Sequence, residues 1–248
     1  MKYTDHFAQR SSDYLQFRPG YPDALFDYLS SLLTTHEFAW DCATGNGQAA
    51  ASLSRYFTFV IATDLNHAQL DVAIKKDNIS YHAWPAEKTK IPSASIDLIT
   101  IAQALHYFDF THFYQEAKRV LKPDGVIAAW CYSLGSISPD LDKIIKKVYS
   151  DILGNTYWPK ERRYVDEQYH TIPFPFTRLV SPQFYTEKAI TLDELLGYLS
   201  TWTAVKEYER RNNANPLDLV KEEFKTAWGP PETKHIMRWP IHLLVGKV

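Results

Sequence analysis

The sequence predicts an α/β fold: a doubly wound, mostly parallel sheet with a C-terminal antiparallel hairpin and a helical lid. Three observations predict it. Apolar runs of strand length alternate with amphipathic stretches of helix length as far as Tyr132. A turn of small residues, Ala43-Thr44-Gly45-Asn46-Gly47, stands between the first run and the helix after it. After Ser133 the alternation stops and helical and aromatic segments take over. Runs apolar on both faces belong to parallel strands covered on both sides. Right-handed crossovers wind such strands so that ligands lie beyond their carboxyl ends.

The first helix is Asp23–Leu33, where three- and four-residue spacing puts Leu25, Tyr28, Leu29 and Leu32 on one face. Glu37–Asp41 reads as a strand ending in an acid, and Gln48–Phe57 as helix. Thr58–Thr63 is a buried strand closing on Asp64, and Asn66 is placed to cap a helix over 66–75. Ile79–Ala83 and Ile96–Ala102 read as strands, Phe110–Leu121 as helix, and Lys122-Pro123-Asp124-Gly125 as a turn by its Pro and Gly chemistry. Val126–Tyr132 is the next strand. Beyond it, Leu141–Leu153 is amphipathic with Lys143, Lys146 and Lys147 on a solvated face, and 159–176 is irregular and Pro-rich. Leu192–Trp202 and Pro216–Trp228 read as helices, and Ile236–Val245 as a final strand paired antiparallel with Arg178–Ile190.

Length and composition set the remaining expectations. A chain of 248 residues, 45% hydrophobic and 23% charged, suits one α/β domain over 1–248. Its core is expected over about 34–132 with 176–190 and 234–248, and its lid over 1–22, 135–175 and 191–233. A formal net charge of −2 and no Lys/Arg run longer than two residues argue against a nucleic-acid partner. Cys42 and Cys131 lie in apolar strands without metal or disulfide spacing, so no metal is expected and a reducing compartment is. Met1–Leu15 lacks the apolar stretch of a signal peptide, and runs such as Val126–Tyr132 are too short to span a bilayer. The expectation is a cytoplasmic protein with no membrane partner; these patterns leave its oligomeric state open.

The loop Asp41-Cys42-Ala43-Thr44-Gly45-Asn46-Gly47-Gln48 leaves a strand and opens a helix, so its small residues admit a ligand to the backbone and to free helix N–H groups. Asp64, at the end of the second strand, is placed to accept ribose hydroxyls. Gly45-x-Gly47-x-x-Ala50 also matches a dinucleotide fingerprint. Asp41 separates the two readings: an acid beside the loop repels a pyrophosphate but suits a cationic nucleoside without phosphate; its alternative role is that of a capping or turn residue.

With these features the sequence resembles the class I S-adenosylmethionine-dependent methyltransferases, whose sheet is Rossmann-like. The likeness is carried, in order, by Trp40-Asp41-Cys42-Ala43-Thr44-Gly45-Asn46-Gly47, by Ala62-Thr63-Asp64-Leu65, by Ala86-Glu87-Lys88 with Ile91-Pro92 and Ile96-Asp97-Leu98, and by Arg119-Val120-Leu121-Lys122-Pro123-Asp124-Gly125. It covers roughly residues 14–132. Within the family the nearer resemblance is to trans-aconitate-like small-molecule methyltransferases, through Tyr14-x-x-Phe17-Arg18-Pro19-x-Tyr21-Pro22, Gln103-Ala104-Leu105-His106 and Arg238-Trp239-Pro240.

The resemblance implies S-adenosyl-L-methionine as cofactor and a role for each matching residue. Asp41 with the Ala43, Thr44, Gly45 and Gly47 loop faces the methionine part, and Asp64 the ribose. Leu65 and Gln69 pack the adenine, Ala86 and Glu87 frame its edge, and Gln103 lines the sulfonium end. Tyr14 and Arg18 hold the cofactor carboxylate, for which a guanidinium is suited. The chain departs from the pattern at Ala43, where the family loop has its first glycine, and at Pro85, where an acid is common.

Methyl transfer is an in-line displacement that needs alignment above all. A carboxylate acceptor, with a pKa of about 4, is already ionised at neutral pH and needs no base. A hydroxyl or amine gains roughly 10²–10⁴-fold from one. His106 and Tyr107, following the fourth strand, are the catalytic candidates; the alternative for His106 is a structural histidine beneath the lid. Arg210-Arg211, Trp158, Trp202 and Tyr208 are either pocket walls or helix-packing and solvated residues. Two rival functions remain. One is a catalytically silent S-adenosylmethionine-binding protein. The other is an NAD-dependent oxidoreductase, which Asp41 and the lack of a Lys four residues after Tyr81 or Tyr107 disfavour.

Overall fold

The computed structural model describes residues 17–248. Five parallel strands form most of the sheet: β1 (Phe38–Cys42), β2 (Phe59–Thr63), β3 (Ile79–His82), β4 (Ile96–Ala102) and β5 (Leu121–Tyr132). β6 (Thr177–Arg178), β7 (Phe184–Ile190) and β8 (His235–Lys247) complete it. The order is β3-β2-β1-β4-β5-β8-β6, with β7 also on β8. β8 runs antiparallel to β5, β6 and β7, so the expected hairpin is present. Its first strand is broken at 179–183, where Pro182 has no N–H to donate to the ladder. Winding reverses between β1 and β4, which puts the switch point at their carboxyl ends.

Alternate residues of the central strands supply two buried faces. Ala39, Leu98, Val126 and Ala128 pack with Leu25 and Leu29 of α1 (Asp23–Ser31) and with Ala49, Ala50 and Leu53 of α2 (Gln48–Leu53). Trp40, Ile99, Ile127 and Ala129 pack on the other side with Phe113, Ala117 and Val120 of α4 (Phe110–Val120). Between these helices, α3 (His67–Asp71) is capped as expected by Asn66, which accepts from the N–H groups of Ala68 and Gln69. It stops short of the predicted Lys75 because the Ile74 N–H turns away to the Asn46 carbonyl, 3.0 Å distant.

Two expectations need correction, and one helix was not expected. Lys122–Gly125 does not precede β5 as a turn but bulges within it. Ile96 pairs with Leu121 and Leu98 with Val126, and Asp124 takes φ +64° at the bulge. Lys122 is anchored there by Asp97 at 2.9 Å, and Asp97 also accepts the N–H groups of Glu37 and Phe38, clamping the start of β1. The stretch 159–176 is not wholly irregular. Its helix α7 (Arg162–Asp166) and buried Val165, Tyr169 and Ile172 seal the α4 side of the sheet. Helix α9 (Thr203–Asn212) was not anticipated at all.

The remaining helices, α5 (Pro139–Lys146) with a π-helical extension over 147–153, α6 (Gly154–Tyr157), α8 (Leu192–Ser200) and α10 (Lys221–Trp228), gather around Trp202, Met237 and Trp239. Lys143 and Lys147 pair with Asp140 and Glu223 on the exposed side. Arg210 and Arg211 both pair with Glu207, and they join the solvated face of α9 instead of a pocket wall. Among the described residues no helix is long and apolar enough to cross a membrane.

Candidate active site

The loop leaving β1 reverses by three left-handed residues, Ala43 (φ +54°), Gly45 (φ +56°) and Gly47 (φ +83°). Glycine takes this conformation freely; Ala43 holds it at a cost of about 1–2 kcal/mol. Asp41 secures the turn from below. Its carboxylate is fully buried and accepts from the Thr44 and Thr100 hydroxyls and from the Ala50 N–H. Here the structure departs from the expectation that Asp41 and Gly47 face a ligand. Asp41 lies behind the loop, and Gly47 stands at the start of α2 with the Tyr81 ring against it.

Burial raises the Asp41 carboxyl from 3.8 to about 6, against its three hydrogen bonds, and the Asp64 charge adds to the rise. The folded protein therefore binds this proton more tightly than the unfolded chain. The contribution to stability is full below pH 4 and is lost as pH climbs through 6, about 3 kcal/mol in all. Asp41→Asn has no such term. Denaturation free energies of the two proteins should converge or cross in the variant's favour by about that amount between pH 4 and pH 7; parallel curves would mean an unshifted Asp41.

Above the loop opens a cleft of about 780 Å³. On one side Asp64 receives the Gly45 N–H at one oxygen and the Asn66 N–H at the other, both at 2.8 Å. Leu65, Gln69, Ala86 and Glu87 line this side with it. Trp84, stacked on His82 at 4.1 Å, and Asp71 also line it and were missed. So was Asn46, whose buried Nδ2 has no hydrogen-bond partner among the described residues. Gln103, at φ +61° at the end of β4, lines the cleft as well, and its buried Nε2 likewise has no partner among the described residues.

The other end is basic and aromatic. Arg18 donates to Thr201 and Tyr132 and lies over the Tyr198 ring, so part of its donor capacity is engaged within the protein. Arg162, 22% exposed, stacks on Trp158 and Tyr149 and shares its Nε–H between the Tyr149 hydroxyl and, at 3.4 Å, the Asp166 carboxylate. Its two Nη nitrogens have no acceptor among the described residues. Trp158 and Trp202 line this end; Tyr208 does not. His106 and Tyr107 close it, their rings 4.1 Å apart, on a 3₁₀ turn over Leu105–Tyr107. Burial first, then the Arg162 charge, lowers the His106 pKa to about 3. Tyr14 lies outside the described residues.

A small-residue loop, a strand-end carboxylate and a switch-point cleft define a nucleoside-binding α/β enzyme. Comparison with known proteins narrows the class. A methyltransferase-domain profile matches residues 40–129. A Dictyostelium discoideum protein named as a methyltransferase is 32% identical over 99% of this chain and 96% of its own. A Saccharomyces cerevisiae protein named as an S-adenosylmethionine-dependent methyltransferase is 24% identical over 87% of each. A solved Anaeromyxobacter dehalogenans structure, named as a type II methyltransferase, shares 39% identity with a TM-score of 0.87 over 93% of this chain and 98% of that one. The chain belongs to the class I S-adenosylmethionine-dependent methyltransferases.

Proposed function

We propose that the chain methylates the carboxylate of a small molecule, releasing a methyl ester. The observation that carries this reading is the division of charge in the cleft. Its acidic lining residues, Asp64, Asp71 and Glu87, belong to the β2–β3 side, while Arg18 and Arg162 stand at the aromatic end. An anionic acceptor is drawn to the second end and repelled by the first.

The first end fits the methyl donor. Each Asp64 oxygen accepts one backbone N–H and retains a lone pair for a ribose hydroxyl. The unpartnered amides of Asn46 and Gln103 offer donors that a methionine carboxylate would satisfy. A side chain added at Gly45 would meet nothing closer than Gln69 Oε1 at 3.9 Å, so the loop leaves room for a ligand. Bound there, S-adenosylmethionine supplies a methyl group activated by its sulfonium.

The chain's own residues hold and orient. Asp64 anchors the ribose, with Leu65, Gln69, Ala86 and Glu87 about the adenine. Arg162 receives the acceptor's negative charge through its two Nη nitrogens, and Trp158 and Trp202 keep water from the acceptor. No residue has to remove a proton from an acceptor that arrives ionised. The segments 135–175 and 191–233 contribute this second end and serve as its cover.

Calorimetry with S-adenosylmethionine, S-adenosylhomocysteine and NAD tests the donor, with binding expected for the first two alone. Formation of S-adenosylhomocysteine over a panel of carboxylic acids, phenols and amines tests the acceptor. Carboxylic acids should turn over at a rate flat from pH 6 to pH 9. Turnover of phenols or amines alone, rising with pH, would overturn the carboxylate reading. Binding without turnover of any acceptor would leave a silent binding protein.

A further inference from the structure

His106 does not stand alone at the closed end of the cleft. It is 6% exposed, and its Nδ1 lies 2.8 Å from the phenol oxygen of Tyr169. Tyr169 arrives from the segment after α7 and is 1% exposed. It takes φ +63° directly after Gln168 at φ +55°. Two consecutive non-glycine residues in the left-handed region are uncommon and strained. The surrounding contacts hold them there: the Tyr169 N–H reaches the Tyr164 carbonyl at 2.8 Å, and its ring packs among the buried residues beside α4.

A contact of 2.8 Å between a phenol and an imidazole nitrogen admits two proton arrangements. Nδ1–H can donate to the phenol oxygen, or the phenol O–H can donate to a bare Nδ1. The phenol proton decides between them. The phenol oxygen also meets the His106 backbone N–H, which can only donate, and no other acceptor for the phenol proton exists among the described residues. Were Nδ1 the donor, a buried O–H would be left without an acceptor, which proteins avoid. With the phenol donating, both groups are satisfied and the ring proton must sit on Nε2. That nitrogen has no protein partner among the described residues and is not sealed from solvent, and the ring borders the cleft.

We propose that Tyr169 locks His106 in the Nε2–H tautomer, so that His106 presents a fixed hydrogen-bond donor to the methyl acceptor and cannot serve as its base. In this tautomer Nε2 has no lone pair to take a proton, and Nδ1 is occupied by the phenol. Arg162 lies near enough to oppose protonation of the ring, and burial opposes it more, so the imidazole stays neutral at physiological pH. Tyr169 is a positioning residue: it touches no substrate and acts through the ring. The identity of the acceptor as a carboxylate rests on the proposed function above; the tautomer does not.

The experiment begins with ¹⁵N NMR of the histidine-labelled full chain at neutral pH, without ligands. The His106 signals, assigned by their loss in His106→Gln, should show a protonated Nε2 and an unprotonated, hydrogen-bonded Nδ1. Tyr169→Phe, which preserves the ring's volume, should admit the Nδ1–H tautomer. A wild-type ring protonated on Nδ1, or on both nitrogens, overturns the tautomer assignment whatever the variants do. Kinetics with a carboxylic-acid substrate then test the donor. His106→Ala should raise the acceptor KM by roughly ten- to a hundredfold. His106→Gln, which retains an N–H donor, should recover most of that loss. An Nε2–H spectrum combined with a Gln variant as impaired as Ala would overturn the donor role. Turnover confined to phenols or amines, with the same spectrum, would instead overturn the carboxylate reading and leave the tautomer standing.

Discussion

Asp64→Ala should weaken S-adenosylmethionine binding by roughly 10²–10⁴-fold, the loss of two hydrogen bonds to a charged acceptor. The carboxylate is fixed before any ligand arrives, because the Gly45 and Asn66 N–H groups each hold one of its oxygens. If Asp64 holds the ribose as proposed, little ordering cost attends that binding, and its two bonds should be close to full strength. The fold should survive. Asp64 is only half-buried at the cleft, so water can take over both N–H groups when the side chain is removed. Asp64→Asn, with one acceptor oxygen left, should fall between the two proteins. Calorimetry gives the affinity and circular dichroism the fold; unchanged affinity in the Ala variant would remove Asp64 from the site.

Gly47→Ala should destabilise the protein by about 3–5 kcal/mol, from backbone strain together with overpacking. The residue sits at φ +83°, and an added Cβ would lie 2.3 Å from the Tyr81 oxygen and 3.1 Å from its Cζ. Tyr81 cannot swing away freely, since its hydroxyl donates to the Ile74 carbonyl at 2.6 Å. A loss of that size is a large share of a typical domain's 5–15 kcal/mol. Tyr81→Phe removes the closest atom and should recover part of the loss in a double-mutant cycle measured by denaturation. Gly45→Ala should behave differently. Its methyl meets no protein atom within 3.9 Å, so the fold bears only the left-handed strain while the donor meets a narrowed cleft. Equal stability losses at the two glycines would contradict this division.

The parts of the chain legible in its sequence are those where one local pattern has one structural outcome. β4 matches Ile96–Ala102 at both ends because a strand buried on both faces shows as an unbroken apolar run. The glycine turn, Asp64 and the Asn66 cap were legible for the same reason: few residue types can do what those positions require. Asp41 was legible as an acid at a strand end, yet a strand-end acid looks alike whether it points up at a ligand or down beneath its own loop. The hydroxyls that claim it, on Thr44 and Thr100, lie on separate elements and declare themselves only after the sheet forms. α9 was hidden because it buries only Ala204 and Val205, too little for a periodic apolar face. Arg162 and Tyr169 were hidden in a Pro-rich stretch whose helix is a single short turn. Their positions come from Val165, Tyr169 and Ile172 packing against strands more than thirty residues away in the chain, a tertiary event with no local signature.

The cationic end of the cleft also bears on what happens after transfer. If the acceptor is the carboxylic acid proposed above, it enters with a full negative charge and leaves as a neutral ester, so the Arg162 guanidinium would retain no ionic hold on what it has become. On that reading reaction itself would loosen the grip, departure would be quickened without any gate, and accumulated ester would compete poorly with fresh acid for the vacated place.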